Sequence, residues 1–282
     1  MADAFLQRRG LGQKHPVYDF LFTYYSFTPT KLKHWVPSFE ETLSIEDQEE
    51  LPFSEYWFER HNSTLRFNPE RLRGQALSLL TFIEELCNAV LKRTPRFGCF
   101  GLHEWAMVYR LSHEELRHTG YPLRLSPDEL ARFVESQNLC CTHYDAYRFF
   151  TPQAEPLNLF KPTLENRPQY EQAGCLHANM DLYKWSTKLW PWIGSDFIAK
   201  TFLLACEGRE LDMRASPYDL RNQGYSPICI ETETGRREYQ LLQQQYAQKS
   251  IGLRQDLATF CGRLRAWHQQ NNNTNTSLES AL

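Results

Sequence analysis

Apolar residues recur at helical spacing through most of this chain. Leu72, Ala76, Leu79, Ile83, Leu86 and Val90 step by three and four, behind Asn68 as a cap and Pro69 at a first helical position. That pattern predicts a helix across FNPERLRGQALSLLTFIEELCNAVLKR. GLHEWAMVYRLSHEEL reads as a second helix after the turn between Gly98 and Gly101, and SPDELARFVES as a third, its Ser126 and Glu129 forming a capping box. HANMDLYKWSTKL and DFIAKTFLLACEGRELDM, the latter capped by Ser195, add two more. The longest stripe comes last: Tyr239, Leu242, Tyr246, Leu253, Leu257, Phe260, Leu264 and Trp267 share one face.

Three stretches break the pattern. HPVYDFLFTYYSFTP is aromatic and bounded by prolines, which suits strands or ordered coil. YSPICIETETGRREY alternates Ile228 and Ile230 as a short strand does. TPQAEPLNLFKPTLENRPQYEQAG holds four prolines in 24 residues, and an ordered loop of that length in a compact domain is often functional. The expected fold is mainly α: one multi-helix globular domain over residues 1–268, with a few short strands and a long C-terminal helix. The polar, low-complexity QQNNNTNTSLESAL, residues 269–282, is expected to be a disordered tail.

Composition adds compartment and partners. No stretch reaches the roughly 18 consecutive apolar residues of a spanning helix, so no membrane is expected. The polar, basic N-terminus lacks the apolar core of a secretion signal, and the expected location is cytoplasmic. The eight cysteines form no C-x-x-C pair, which favours reduced thiols over a disulfide set or a cysteine zinc cluster. A formal net charge of −3 counts against binding DNA over a large area, because phosphate neutralisation supplies most of that affinity. The long amphipathic C-terminal helix suits homodimerisation.

Histidines and carboxylates gather in four places: His103-Glu104, His143 with Asp145, His177 with Asp181, and Glu210, Asp212, Arg214 and Asp219 together. HExxH fails because Met107 stands four past His103. His103 and Glu104, neighbours on a helix, point about 100° apart, so one is expected to face a site and the other to anchor a neighbouring segment. His177 and Asp181, one helical turn apart, suit joint ligation of a metal. His143, Asp145 and His177 offer two imidazoles and a carboxylate for iron, and Glu104, His143, His177 and Asp181 offer a multi-helix set. The metal reading therefore draws on His103, His143, Asp145, His177 and Asp181, with a divalent ion as cofactor.

A second reading needs no cofactor. Asp181 or Asp212 serves as the carboxylate, with His177 and Glu104 handling protons. Trp105, Tyr183 and Tyr147 would stack on a planar base, and Arg214 stands at the site edge. Asp212 and Arg214 are also placed to pair with each other. No Gly-rich nucleotide loop and no G-x-S-x-G elbow occurs.

The strings CFGLHEWAMVYR, CTHYDAYRFF, CLHANMDLYKW and RELDMRASPYDL resemble a bacterial family whose members often carry the name 3-methyladenine DNA glycosylase. The likeness spans roughly residues 97 to 250. It implies an N-glycosidic-bond hydrolase that acts on a modified purine, in DNA or in a nucleoside-type small molecule, with base flipping where the substrate is DNA. The chain has neither a Leu-Pro-Gly-x-Gly-like hairpin nor a cysteine zinc signature, so no catalytic residue carries over by motif. Three functions remain open: the hydrolase, a metal-dependent helical hydrolase or oxygenase, and a non-catalytic partner-binding protein.

Overall fold

Eleven α helices and three short strands make up the regular structure of the described residues. The computed structural model describes residues 1–46, 53–116 and 120–279, the last eight as backbone. Three small helices open the chain: α1 (Ala2–Gly10), α2 (Asp19–Thr23) and α3 (Pro29–Lys33). Strands β1 (Leu43–Ser44), β2 (Phe58–His61) and β3 (Thr64–Phe67) then form an antiparallel sheet in the order β1-β3-β2, with Leu43 opposite Leu65 and Phe58 opposite Phe67.

The helical body follows as α4 (Gln75–Lys92), α5 (Leu102–Ala106), α6 (Pro127–Glu135), α7 (Tyr144–Tyr147), α8 (Arg167–Tyr170), α9 (Leu176–Lys188), α10 (Ser195–Ala215) and α11 (Glu233–Glu279). The mainly α fold with a long C-terminal helix is therefore present. Helix α9 packs most extensively on α10, while α11 lies along α4 and α9. One contiguous apolar core links Val17 near the start to Leu264 on α11.

Local chemistry explains where elements depart from the periodic reading. Asn68 does cap Pro69–Arg71, accepting from the Glu70 N–H, but that turn is 3₁₀ and ends before Gly74, whose φ of 56° separates it from α4. The second expected helix stops after Ala106, and Arg110, at φ 55°, sets the chain on a different course. Ser126 and Glu129 form the expected capping box on α6. Gly194 rather than Ser195 caps α10; the Ser195 hydroxyl instead accepts from the Val36 N–H and donates to the His34 carbonyl.

The aromatic N-terminal stretch folds as α2 and coil rather than strand. The Ile228–Ile230 segment is coil with both side chains fully buried. The proline-rich middle is loop, with one 3₁₀ turn (Glu155–Leu157) and the single turn of α8. The helical backbone of α11 continues through Glu279, into the segment expected to be disordered. Residues 280–282 of that segment lie outside the described residues. No helix among the described residues is long and apolar enough to cross a membrane.

Candidate metal centre

Three helices bring the first group together. Gly101 starts α5 in the left-handed region at φ 71°, where a Cβ would press on the Tyr239 hydroxyl at 3.3 Å. His103 and Glu104 follow on the first turn of α5, with His103 Nε2 4.0 Å from Glu104 Oε1. His103 reaches toward His177 of α9 and Asp212 of α10, and its ring meets that of His177 edge-on with centroids 4.3 Å apart. Glu104 accepts from Arg209 at 2.8 Å, and the same guanidinium nitrogen donates to Asp212 Oδ2 at 2.7 Å.

His103, His177 and Asp212 each present one ligand atom within 4.8 Å of the others. His103 Nε2 lies 2.9 Å from Asp212 Oδ1, and His177 Nε2 lies 3.7 Å from Asp212 Oδ2. The 2.9 Å contact is a buried ion pair when His103 is protonated, but it lacks the angles of a well-formed hydrogen bond. Two ligands about 2.1 Å from one ion and at right angles to each other sit about 3 Å apart, the same spacing.

A second group lies beside the first. His143 Nε2 meets Asp181 Oδ2 at 3.1 Å, Lys184 Nζ donates to that oxygen at 3.1 Å, and the Tyr25 hydroxyl donates to Oδ1 at 3.3 Å. Lys184 also pairs with Asp145, which takes a further contact from Arg167 at 2.5 Å. Glu171 is fully buried; its Oε1 stands 3.8 Å from His143 and 4.0 Å from Arg167, and neither oxygen has a hydrogen-bond partner. The rings of His143 and His177, 5.6 Å apart, connect the two groups.

Charge is unbalanced across this interior. Glu104, Asp145, Glu171, Asp181 and Asp212 are five carboxylates against three permanent cations, Arg167, Lys184 and Arg209, all largely withdrawn from solvent. Arg148 also reaches Asp145, at 3.4 Å, but is 43 % exposed and screened. The excess is one around His103 and His177, Glu104 and Asp212 against Arg209, and one around His143, Asp145, Glu171 and Asp181 against Arg167 and Lys184.

The protonation pattern follows from the neighbours. Burial alone would lower the pKa of His103, but Asp212 and then Glu104 outweigh it and raise it. Burial, then the charge on His103, pushes His177 down to about 3, so its imidazole is neutral. Burial opposes ionisation of Asp212 and Asp181; His103, with Arg209, outweighs it for Asp212, Lys184 and His143 for Asp181, and both carboxyls fall below their usual range. Burial raises Glu171, against the pull of His143.

A cavity of about 20 Å³ lies against His103 and His177. Cys99, Cys140, Cys141 and Cys175 line it together with Tyr239. All eight cysteines are free thiols. An outer pocket of about 240 Å³, with Arg96 and Phe160 on its walls, shares Cys99, Cys140, Thr142 and Gln172 with the inner one. The proline-rich loop forms part of that outer wall. Asn158, buried, holds it in place by accepting from the Cys141 N–H and donating to the carbonyls of Cys141 and Phe160.

The structure sorts the residues singled out in the sequence. His103, His177, Glu104 and Asp212 converge, as do His143, Asp145 and Asp181. His177 and Asp181, though one turn apart, belong to different groups. Asp145 is engaged by Arg167 and Lys184 instead of standing free for a metal. Asp212 pairs with Arg209 and not with Arg214, which donates to the Ser226 carbonyl. Trp105 and Tyr183 are fully buried core residues, Trp105 donating from its indole N–H to the Ala215 carbonyl; Tyr147 packs on Phe150. None of these last three, nor Arg214, lines the inner cavity. Sequence reading missed Arg209, Arg167, Lys184 and Glu171. Arg209 was discoverable, since it stands one helical turn before Asp212.

No protein-family model, no curated protein and no solved structure matches the chain.

Proposed function

We propose that this chain is a metal-dependent enzyme acting on a small molecule, with one divalent ion held by His103, His177 and Asp212. The observation that carries this reading is the convergence of one ligand atom each from His103, His177 and Asp212 within 4.8 Å, with His103 Nε2 2.9 Å from Asp212 Oδ1 in poor hydrogen-bond geometry. A shared ion would engage both of those buried atoms.

The ion, when bound, supplies Lewis acidity and an open coordination position beside the cavity. The chain's own residues do the rest. Arg209 neutralises one of the two carboxylates, donating to both Asp212 and Glu104. His177 stays neutral and so keeps its ring nitrogen available as a ligand. Cys99, Cys140, Cys141 and Cys175 wall the site from bulk water. Substrate enters through the outer pocket beside Arg96 and Phe160. The eight free thiols support a reducing, cytoplasmic setting.

The glycosidic-bond hydrolase suggested by the family resemblance is the less supported reading. It has ionised Asp212 and Asp181 in its favour. Yet Trp105 and Tyr183, its stacking groups, lie in the core, and a net charge of −3 offers no attraction for duplex DNA.

Titration of cobalt(II) into metal-free protein tests the proposal, read by calorimetry and by the visible bands of the bound ion. Wild type is expected to bind one equivalent. His103→Ala, His177→Ala and Asp212→Ala should each weaken binding at least 100-fold, while His143→Ala should retain it. Equal binding by all four variants, or none by wild type, would overturn the assignment.

A further inference from the structure

We propose that the cavity beside His103 and His177 is a chamber for dioxygen, which makes this an oxygen-using enzyme rather than a hydrolase. The inference rests on the metal reading above and narrows it.

The walls carry the argument. Of the thirteen residues lining the cavity, eight are Leu, Phe or Cys: Leu102, Leu139, Phe150 and Leu176, with the four thiols. Burial pushes Cys140 up to about 11 and Cys141 up to about 12, and raises Cys99 as well. With the buried Cys175 beside them, these thiols act as small polarisable hydrophobes. Gln172, which also lines the cavity, has its amide spent: Oε1 accepts from the N–H groups of Arg96 and Gly174, and Nε2 donates to the Arg96 carbonyl. A chamber walled mainly by Leu, Phe and neutral Cys favours a small apolar molecule over a bulky polar substrate, as cavities with such walls take up gases.

One polar group stands apart. Tyr239 is fully buried, lines the cavity, and its hydroxyl has no hydrogen-bond partner. Burial keeps that phenol protonated, so it is a neutral O–H donor facing a space whose other polar wall groups are His103, His177, Thr142 and the engaged Gln172. Such a donor suits a small ligand that gains negative charge on binding a reduced metal. About 20 Å³ has room for a diatomic and not for a purine. An organic substrate would stay in the outer pocket, across the shared wall of Cys99, Cys140 and Thr142.

The test uses full-length protein loaded anaerobically with iron(II), with nitric oxide as the probe for an open position and xenon as the probe for the cavity. Wild type should give the spin-3/2 resonance of one nitrosyl per iron, and xenon should occupy the cavity. Leu139→Phe should weaken both at least tenfold at unchanged iron content, with Cys140→Leu as the substitute if the first variant does not fold. Tyr239→Phe should keep iron and nitric oxide but change the symmetry of the resonance, which a purely structural tyrosine would not do. Iron retained with no nitrosyl signal and no xenon overturns the chamber while the metal reading stands. Failure of iron, zinc and manganese to bind overturns the metal reading, and the chamber with it.

Discussion

Replacing Arg209 by Met keeps most of the side-chain volume and removes the guanidinium that joins Glu104 to Asp212. Arg209 is 2 % exposed, and it donates to both carboxylates at 2.8 and 2.7 Å. Breaking a buried pair by removing one partner costs about 3–5 kcal/mol, because the remaining charge stays buried and uncompensated. Unfolding entropy of about 2.1 cal/mol/K per residue over 282 residues gives about 0.6 kcal/mol/K. Metal-free R209M should therefore melt about 5–8 °C below wild type. The account makes a second demand on the same variant. Its two buried, uncompensated carboxylate charges attract a cation more strongly, so saturating cobalt(II) should raise its Tm by more than it raises that of wild type. Differential scanning calorimetry of both proteins, with and without metal, reads all four values. A Tm within 1 °C of wild type in the metal-free state would refute the buried-network argument, and an equal metal-induced rise would refute the charge argument.

Other changes probe separate parts of the fold. Glu171 has a raised folded-state pKa, so its contribution is favourable below the unfolded value of about 4.5 and is lost as pH rises through the folded one. Glu171→Gln should accordingly match wild type near pH 4 and become the more stable protein by pH 8; a thermal difference that does not vary with pH would contradict this. Asn158→Ala removes three hydrogen bonds that fasten the proline-rich loop to Cys141 and Phe160, a loss of about 2–3 kcal/mol. Hydrogen exchange should accelerate at Cys141 and across residues 151–166, and unchanged exchange there would show the clamp to be unimportant. At Gly208 an added Cβ would fall 2.3 Å from the Tyr246 hydroxyl and 2.7 Å from Met180 Cγ. Gly208→Ala should cost about 1–3 kcal/mol by overpacking, read as a melting point lower by about 2–5 °C; no change would mean that α9, α10 and α11 are less tightly packed than described.

How much of this was legible in the sequence depends on the range of the interaction that decides each feature. The helical periodicity of α4, α9, α10 and α11 is written locally, and so is the Ser126 capping box, which is why those elements could be read directly. Backbone conformations at single residues were not legible: nothing in GLHEWAMVYR announces that Arg110 adopts a positive φ, so α5 was overextended by more than two turns. The Ile228–Ile230 alternation resembled a strand, yet with no neighbouring strand to pair with, the segment packs as buried coil. Sites depend on contacts far apart in the chain. His103, His177 and Asp212 were each visible as candidates, but their grouping was not, because α5, α9 and α10 meet only in three dimensions. The adjacency of His177 and Asp181 on one helix pointed to a shared centre, whereas the interior assigns Asp181 to Lys184 and His143. Glu171 sits in the proline-rich segment, with no periodicity to mark it as buried.

The central claim is that a divalent ion belongs between His103, His177 and Asp212. Elemental analysis of tag-free protein, purified without chelators alongside Asp212→Asn, tests it most directly. The account predicts close to one equivalent of iron, zinc or manganese in wild type and less than a tenth of that in the variant. Wild type free of these metals, and unable to take them up after anaerobic reconstitution, would contradict it.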